Sequence, residues 1–168
     1  MKKVLAFLLS SILILTFFVG CNSMPDQTLL KKGKELEEKA KFRDAVANYE
    51  KLVKLYTQSP LRAEALYRAG FTYTNGIQDF NEAVKNFEMV VKEYPESKYG
   101  PQAQFMIGFV YANNQVDTVK AREAYNLFLE KYGDHELAAS VKWELENLGK
   151  DINDILKIEE TGTKKKKS

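Results

Sequence analysis

Few residues in this chain are equipped for catalysis. It has one histidine, His135, and one cysteine, Cys21, far apart in the sequence. A single cysteine closes no disulfide within the chain, and with one histidine it falls short of a Cys/His zinc site. A glycine-rich phosphate loop, G-x-S-x-G and H-E-x-x-H are all missing. The acidic run Glu35, Glu37, Glu38 has lysines four places on, Glu35 to Lys39 and Glu37 to Lys41, which reads as a solvated helix face. We therefore expect no enzyme, no catalytic or metal-ligating residues, no cofactor and no small-molecule substrate.

Cys21 has a different chemistry available. Two lysines in "MKK" precede an uncharged run from Val4 to Val19, which is the grammar of an export signal. As a helix the run spans about 24 Å, short of the roughly 30 Å hydrocarbon core, so a permanent membrane-spanning helix is the weaker reading. Phe18-Val19-Gly20-Cys21 resembles the lipobox of bacterial lipoprotein precursors. The resemblance implies acylation of Cys21, cleavage before it, and residues 21–25 as a tether. Asn22 follows the cysteine where an aspartate commonly signals inner-membrane retention in that family, which favours the periplasmic leaflet of an outer membrane, or the outer face of the plasma membrane in an organism with one membrane. Nucleic acid is then excluded as a partner by compartment.

The remainder is an element-rich body. Setting aside Lys2 and Lys3 leaves 23 basic against 23 acidic groups. Four of those lysines, 164–167, sit in the tail "TGTKKKKS", so residues 21–160 carry 19 basic against 23 acidic groups, a net of −4. The tail, residues 159–168, is expected to be disordered and is a candidate for contact with anionic lipid or an acidic partner.

Residues 26–158 repeat. An offset of 38 places Ala45 on Ala83 and Ala121, Tyr49 on Phe87 and Tyr125, Tyr56 on Tyr94 and Tyr132, Gly70 on Gly108, and Phe105 on Trp143. Within each unit the apolar residues step by three and four, as in Phe80, Ala83, Val84, Phe87, Val90, Val91, Tyr94. Ser59-Pro60 reads as a helix start, Asn75-Gly76 as a stop and Tyr94-Pro95 as an end. The pattern predicts helices over 26–39, 42–57, 60–74, 79–94, 98–113, 118–132 and 135–149, with a weaker extension to about 158. Gly33, Gly70 and Gly108 fall mid-helix, where glycine costs up to about 1 kcal/mol relative to alanine, so a close partner helix is the expected compensation. The aromatics Tyr49, Tyr56, Phe87, Tyr94, Tyr125, Phe128 and Tyr132 are the expected core.

The order Gly70, Tyr73, Ala83, Phe87, Pro95 resembles the tetratricopeptide repeat. The fold this implies is all-α, an α-solenoid of three helix pairs plus a C-terminal capping helix, with Glu146 standing where the repeat glycine would be. Lipobox and repeats together resemble the BamD-like and YbgF-like lipoproteins of the cell envelope. In such repeats the first helix of each pair lines the concave face, which by position implicates Tyr67, Phe71 and Asn75, then Phe105, Phe109 and Asn113, and finally Trp143. That row suits an extended or helical peptide, with Tyr67, Phe105 and Trp143 the best placed for exposure; the competing expectation is that the rings only fill space between helices. The functional expectation is a membrane-anchored periplasmic scaffold for protein or peptide partners, plausible in outer-membrane protein assembly. The alternative is a structural organiser of cell-wall synthesis or division.

Overall fold

A computed structural model describes residues 24–150. The run read as an export signal, Cys21, the expected extension toward 158 and the lysine tail lie outside the described residues. Seven α-helices follow one another among those described: α1 Asp26–Glu38, α2 Phe42–Leu55, α3 Arg62–Thr72, α4 Phe80–Glu93, α5 Tyr99–Asn113, α6 Thr118–Tyr132 and α7 Ala138–Asn147. Each packs on the next in sequence, and no strand occurs among the described residues. The result is the expected solenoid of three pairs with α7 closing the last.

The mid-helix glycines explain how the pairs close. A Cβ on Gly70 would lie 2.8 Å from the Phe87 ring, and one on Gly33 or Gly108 would run into Tyr49 or Tyr125. Those three rings are fully buried. Each pair therefore locks a second-helix aromatic ring flat onto a bare stretch of first-helix backbone, and the ring's burial offsets glycine's poor helix propensity. Ala45, Ala83 and Ala121 are also fully buried. Glu146, at the equivalent position of α7, is exposed.

The core divides into three clusters along the solenoid, centred on Tyr49, Phe87 and Tyr125. The outer aromatics are only half-buried and place their hydroxyls across a seam. Tyr56 donates to the Met24 carbonyl at 2.6 Å, Tyr132 donates to the Pro95 carbonyl at 3.1 Å, and Tyr94 accepts from Arg62 at 2.8 Å. Near the middle, α5 buries residues on several sides, because it meets α3, α4 and α6. Its buried Gln104 donates to the Ala124 carbonyl at 2.9 Å, which satisfies an amide that burial would otherwise penalise.

Three expectations need correction. Asn75-Gly76 does not stop the helix: a π-helical turn, Tyr73–Ile77, carries the chain through it to Gln78. Asn75 donates back to the Phe71 carbonyl, and Gly76 lies under the Phe42 ring, so its missing side chain serves packing. Glu37 is not on a solvated face either. It binds Arg68 at 3.1 Å and the Thr72 hydroxyl across the α1–α3 seam, and Glu35 pairs with Lys31 rather than Lys39. The regular start at Arg62 also falls two residues after Pro60.

The turns inside the three pairs share a feature. Ala40, Gln78 and Val116 have φ of 55°, 62° and 54°, and they recur at the repeat offset. The residue after each donates back into the preceding helix, Lys41 to Leu36, Asp79 to Tyr73 and Asp117 to Tyr111. Asp79 and Asp117 then cap α4 and α6 through the Glu82 and Lys120 amides, at 3.2 and 3.0 Å.

Candidate functional site

Among the first helices α3 touches α5, and ion pairs join α1 to α3, whereas the second helices α2, α4 and α6 make at most marginal contact with each other. The first helices therefore line the inner side of the curve. Two side-chain groups lie on it, one charged and one aromatic.

The charged group bridges α1 and α3. Glu64 binds Arg68 at 3.0 Å and also Lys34, while Arg68 reaches Glu37 at 3.1 Å. Burial alone would raise the Glu64 carboxyl, but Lys34, Arg68 and the Tyr99 hydroxyl hold it down at about 2. Tyr99 is pushed up to about 12, first by burial and then by its bond to Glu64. Below this network the Tyr49 hydroxyl is buried without a hydrogen bond of normal geometry, beside Glu37 and Arg68. Burial raises it furthest, Glu37 adds to that, and Arg68 works against it.

The aromatic group joins α3 to α5. The Tyr67 ring lies 6.4 Å from Phe71, 5.3 Å from Tyr99 and 5.7 Å from Phe87, centroid to centroid. A cleft of about 270 Å³ opens between Tyr67, Arg68, Phe71 and Tyr99. Phe71 is 46% exposed, while Tyr67 is half-buried because its ring leans on Phe87, the ring that covers Gly70. The order of exposure expected within this helix is thus reversed.

Further along, Phe105 and Phe109 pair at 6.3 Å, and Phe105 leans on Tyr125 at 6.0 Å. Both are half-buried. Trp143 is 44% exposed and borders a separate cleft with Asn113. No ring contact links these groups to one another among the described residues, so the row is three separate steps. Asn75 and Asn113 each donate to the carbonyl four residues back, at 3.1 Å, and Asn147 does the same to Trp143 at 2.8 Å.

The sequence pointed to Tyr67 and Phe71 but missed Tyr99, Glu64 and Arg68, which complete the cleft. A signal existed for Tyr99: at the repeat offset it aligns with Leu61 and Leu137, so it is the one aromatic in an otherwise aliphatic register. His135 makes local contacts at the end of α6. Its Nδ1 accepts from the Leu137 amide at 3.2 Å and its ring meets Phe128 edge-on. Among the described residues no group of three or more His, Cys, Asp or Glu side chains is placed to hold a metal ion, and no helix is long and apolar enough to cross a membrane.

Residues 61–143 match the family model YfiO, described as "Outer membrane lipoprotein". The matched stretch runs from the start of the second helix pair to Trp143 and contains the aromatic cleft, but neither Cys21 nor the first pair. A comparison with curated proteins finds no match.

Proposed function

We propose that this chain is a lipid-anchored periplasmic scaffold whose inner face binds a protein or peptide partner during assembly of the cell envelope. The observation that carries the reading is the cleft of Tyr67, Phe71 and Tyr99, which leaves aromatic surface open on the inner side of a rigid helical array. Aromatic rings contribute large contact area at little entropic cost, and a preformed cleft avoids the cost of ordering it on binding. The neighbouring Glu64 and Arg68 are already paired, so they shape the rim and the apolar rings supply the main attraction. Likeness to an outer-membrane lipoprotein family over the stretch that holds the cleft supports the envelope setting. Acylation of Cys21 would keep the cleft at a membrane surface, since each buried methylene contributes about 0.8 kcal/mol.

Photo-crosslinking in living cells tests this. A crosslinker at Phe71 should trap a defined envelope protein, one at the exposed Lys51 of α2 should not, and Tyr67→Asp should abolish the adduct while the helical spectrum is kept. Equal trapping from both faces, or none from Phe71, would sink the proposal. Globomycin-sensitive processing and the mass of the mature N-terminus test the lipid separately.

A further inference from the structure

The last pair ends in an open cleft of about 550 Å³, where Val116, Trp143 and Leu148 form an apolar strip among polar residues that include Asn113, Glu144 and Lys150. Val116 is 76% exposed, Val119 in the adjoining turn of α6 is 67% exposed and Trp143 44%. Three of the five large exposed hydrophobic residues among those described therefore gather at one end of the solenoid. Single exposed apolar residues are ordinary, but Val116 and Trp143 border the same cleft and give it a surface suited to an apolar occupant.

The chain itself leads there. After α7, Gly149 takes φ +80°, a conformation that disfavours any side chain, and turns the backbone across α6; a Cβ there would sit 3.7 Å from Thr118. Lys150 closes this turn onto the Asn147 carbonyl at 3.0 Å and is itself part of the cleft's rim. The next residues are Asp151-Ile152-Asn153-Asp154-Ile155-Leu156-Lys157-Ile158. Ile152, Ile155 and Leu156 have the i, i+3, i+4 spacing of one helical face, and Asp151 stands before them as Asp79 and Asp117 stand before α4 and α6.

We infer that residues 152–158 of this same chain are the occupant of the cleft, covering Trp143 and Val116 with Ile152, Ile155 and Leu156. A segment tethered two to eight residues from the rim is at high effective concentration, and closing so short a connection costs little chain entropy. The Trp143 and Asn113 end of the inner face is then closed to an external partner, which leaves the Tyr67–Tyr99 cleft as the open site. This holds whether or not that cleft binds anything, so the two readings fail independently.

Trp143 is the only tryptophan in the chain, which makes it a specific probe. The experiment compares the full mature chain with a variant carrying Ile155→Asp and Leu156→Asp, with far-UV circular dichroism to show that the helical body is intact. The expected result is a red shift of Trp143 emission in the variant and an iodide quenching constant roughly twofold higher, as a largely covered ring regains access to solvent. Neither value should depend on protein concentration. Identical emission and quenching in the two proteins overturns the inference. So does protection of Trp143 that grows with protein concentration, because the occupant is then a second copy.

Discussion

At the scale of single residues, Glu64 joins the two groups on the inner face. It holds Lys34 and Arg68 with its carboxylate and takes the Tyr99 hydroxyl, so the same side chain ties α1 to α3 and orients a wall of the cleft. Its folded-state value of about 2 lies below the roughly 4.5 of an unfolded glutamate. The carboxylate's contribution to stability is therefore complete above pH 4.5 and is lost as the pH falls toward 2. Glu64→Gln should lower stability at pH 7 by about 1–2 kcal/mol, the range for a hydrogen bond to a charged group, discounted because Arg68 retains Glu37. Thermal unfolding followed across pH should show wild type and variant converging between pH 4.5 and 2; a constant gap over that range would mean that the carboxylate's charge is not what stabilises the seam.

At the scale of helices, the unit that repeats is a glycine on one helix beneath a ring on its partner. Gly70→Ala isolates it. Propensity alone predicts a gain of up to about 1 kcal/mol, since alanine is the better helix former. The ring of Phe87 stands 2.8 Å from where the methyl must go and is buried on every side, so it has nowhere to retreat. Overpacking of this kind costs about 1–3 kcal/mol, and we expect it to win. Gly70→Ala should lower the urea midpoint, and Phe87→Leu added to it should cost less than Phe87→Leu costs alone in the native background. Additive penalties would mean that ring and methyl do not meet. This packing was readable in the sequence because it comes from residue type and spacing: Gly70 and Gly108 recur at the 38-residue period with Phe87 and Tyr125, and Gly33 stands one residue out of that register, 16 before Tyr49. The intra-pair turns were not readable. Ala40, Gln78 and Val116 adopt positive φ without being glycine, at a cost of about 1–2 kcal/mol each, because the closing hydrogen bonds and the two packed helices impose the conformation. The same limit hid Glu37 and Arg68. Spacing along one helix gives its neighbours on that helix, but their partners come from another helix brought alongside by the turn.

For the whole molecule, the repeat gives the solenoid two distinct edges. Every first helix starts at the edge that carries Met24 and the connections between pairs, residues 56–61, 94–98 and 133–137, and ends at the edge that carries the intra-pair turns and Lys150. The N-terminal approach is fixed to the first edge, where Tyr56 binds the Met24 carbonyl and Ser59 binds Asp26 at 2.5 Å. If Cys21 is acylated as proposed, Asn22 to Met24 span about 10 Å at most. The Tyr56–Ser59 edge is then held beside the lipid, and Val116 and Lys150 stand about 20 Å further out, the length of a helix of α5's size. Depth-dependent quenching decides the orientation. The acylated chain carrying Gln58→Cys or Asn114→Cys, labelled with the same fluorophore and inserted into vesicles with a headgroup quencher, should lose emission at position 58 and keep it at 114. Equal quenching at both sites would mean that the solenoid lies flat, and stronger quenching at 114 would reverse it. In either case the aromatic cleft, which lies between the two edges, would meet its partner from a different side.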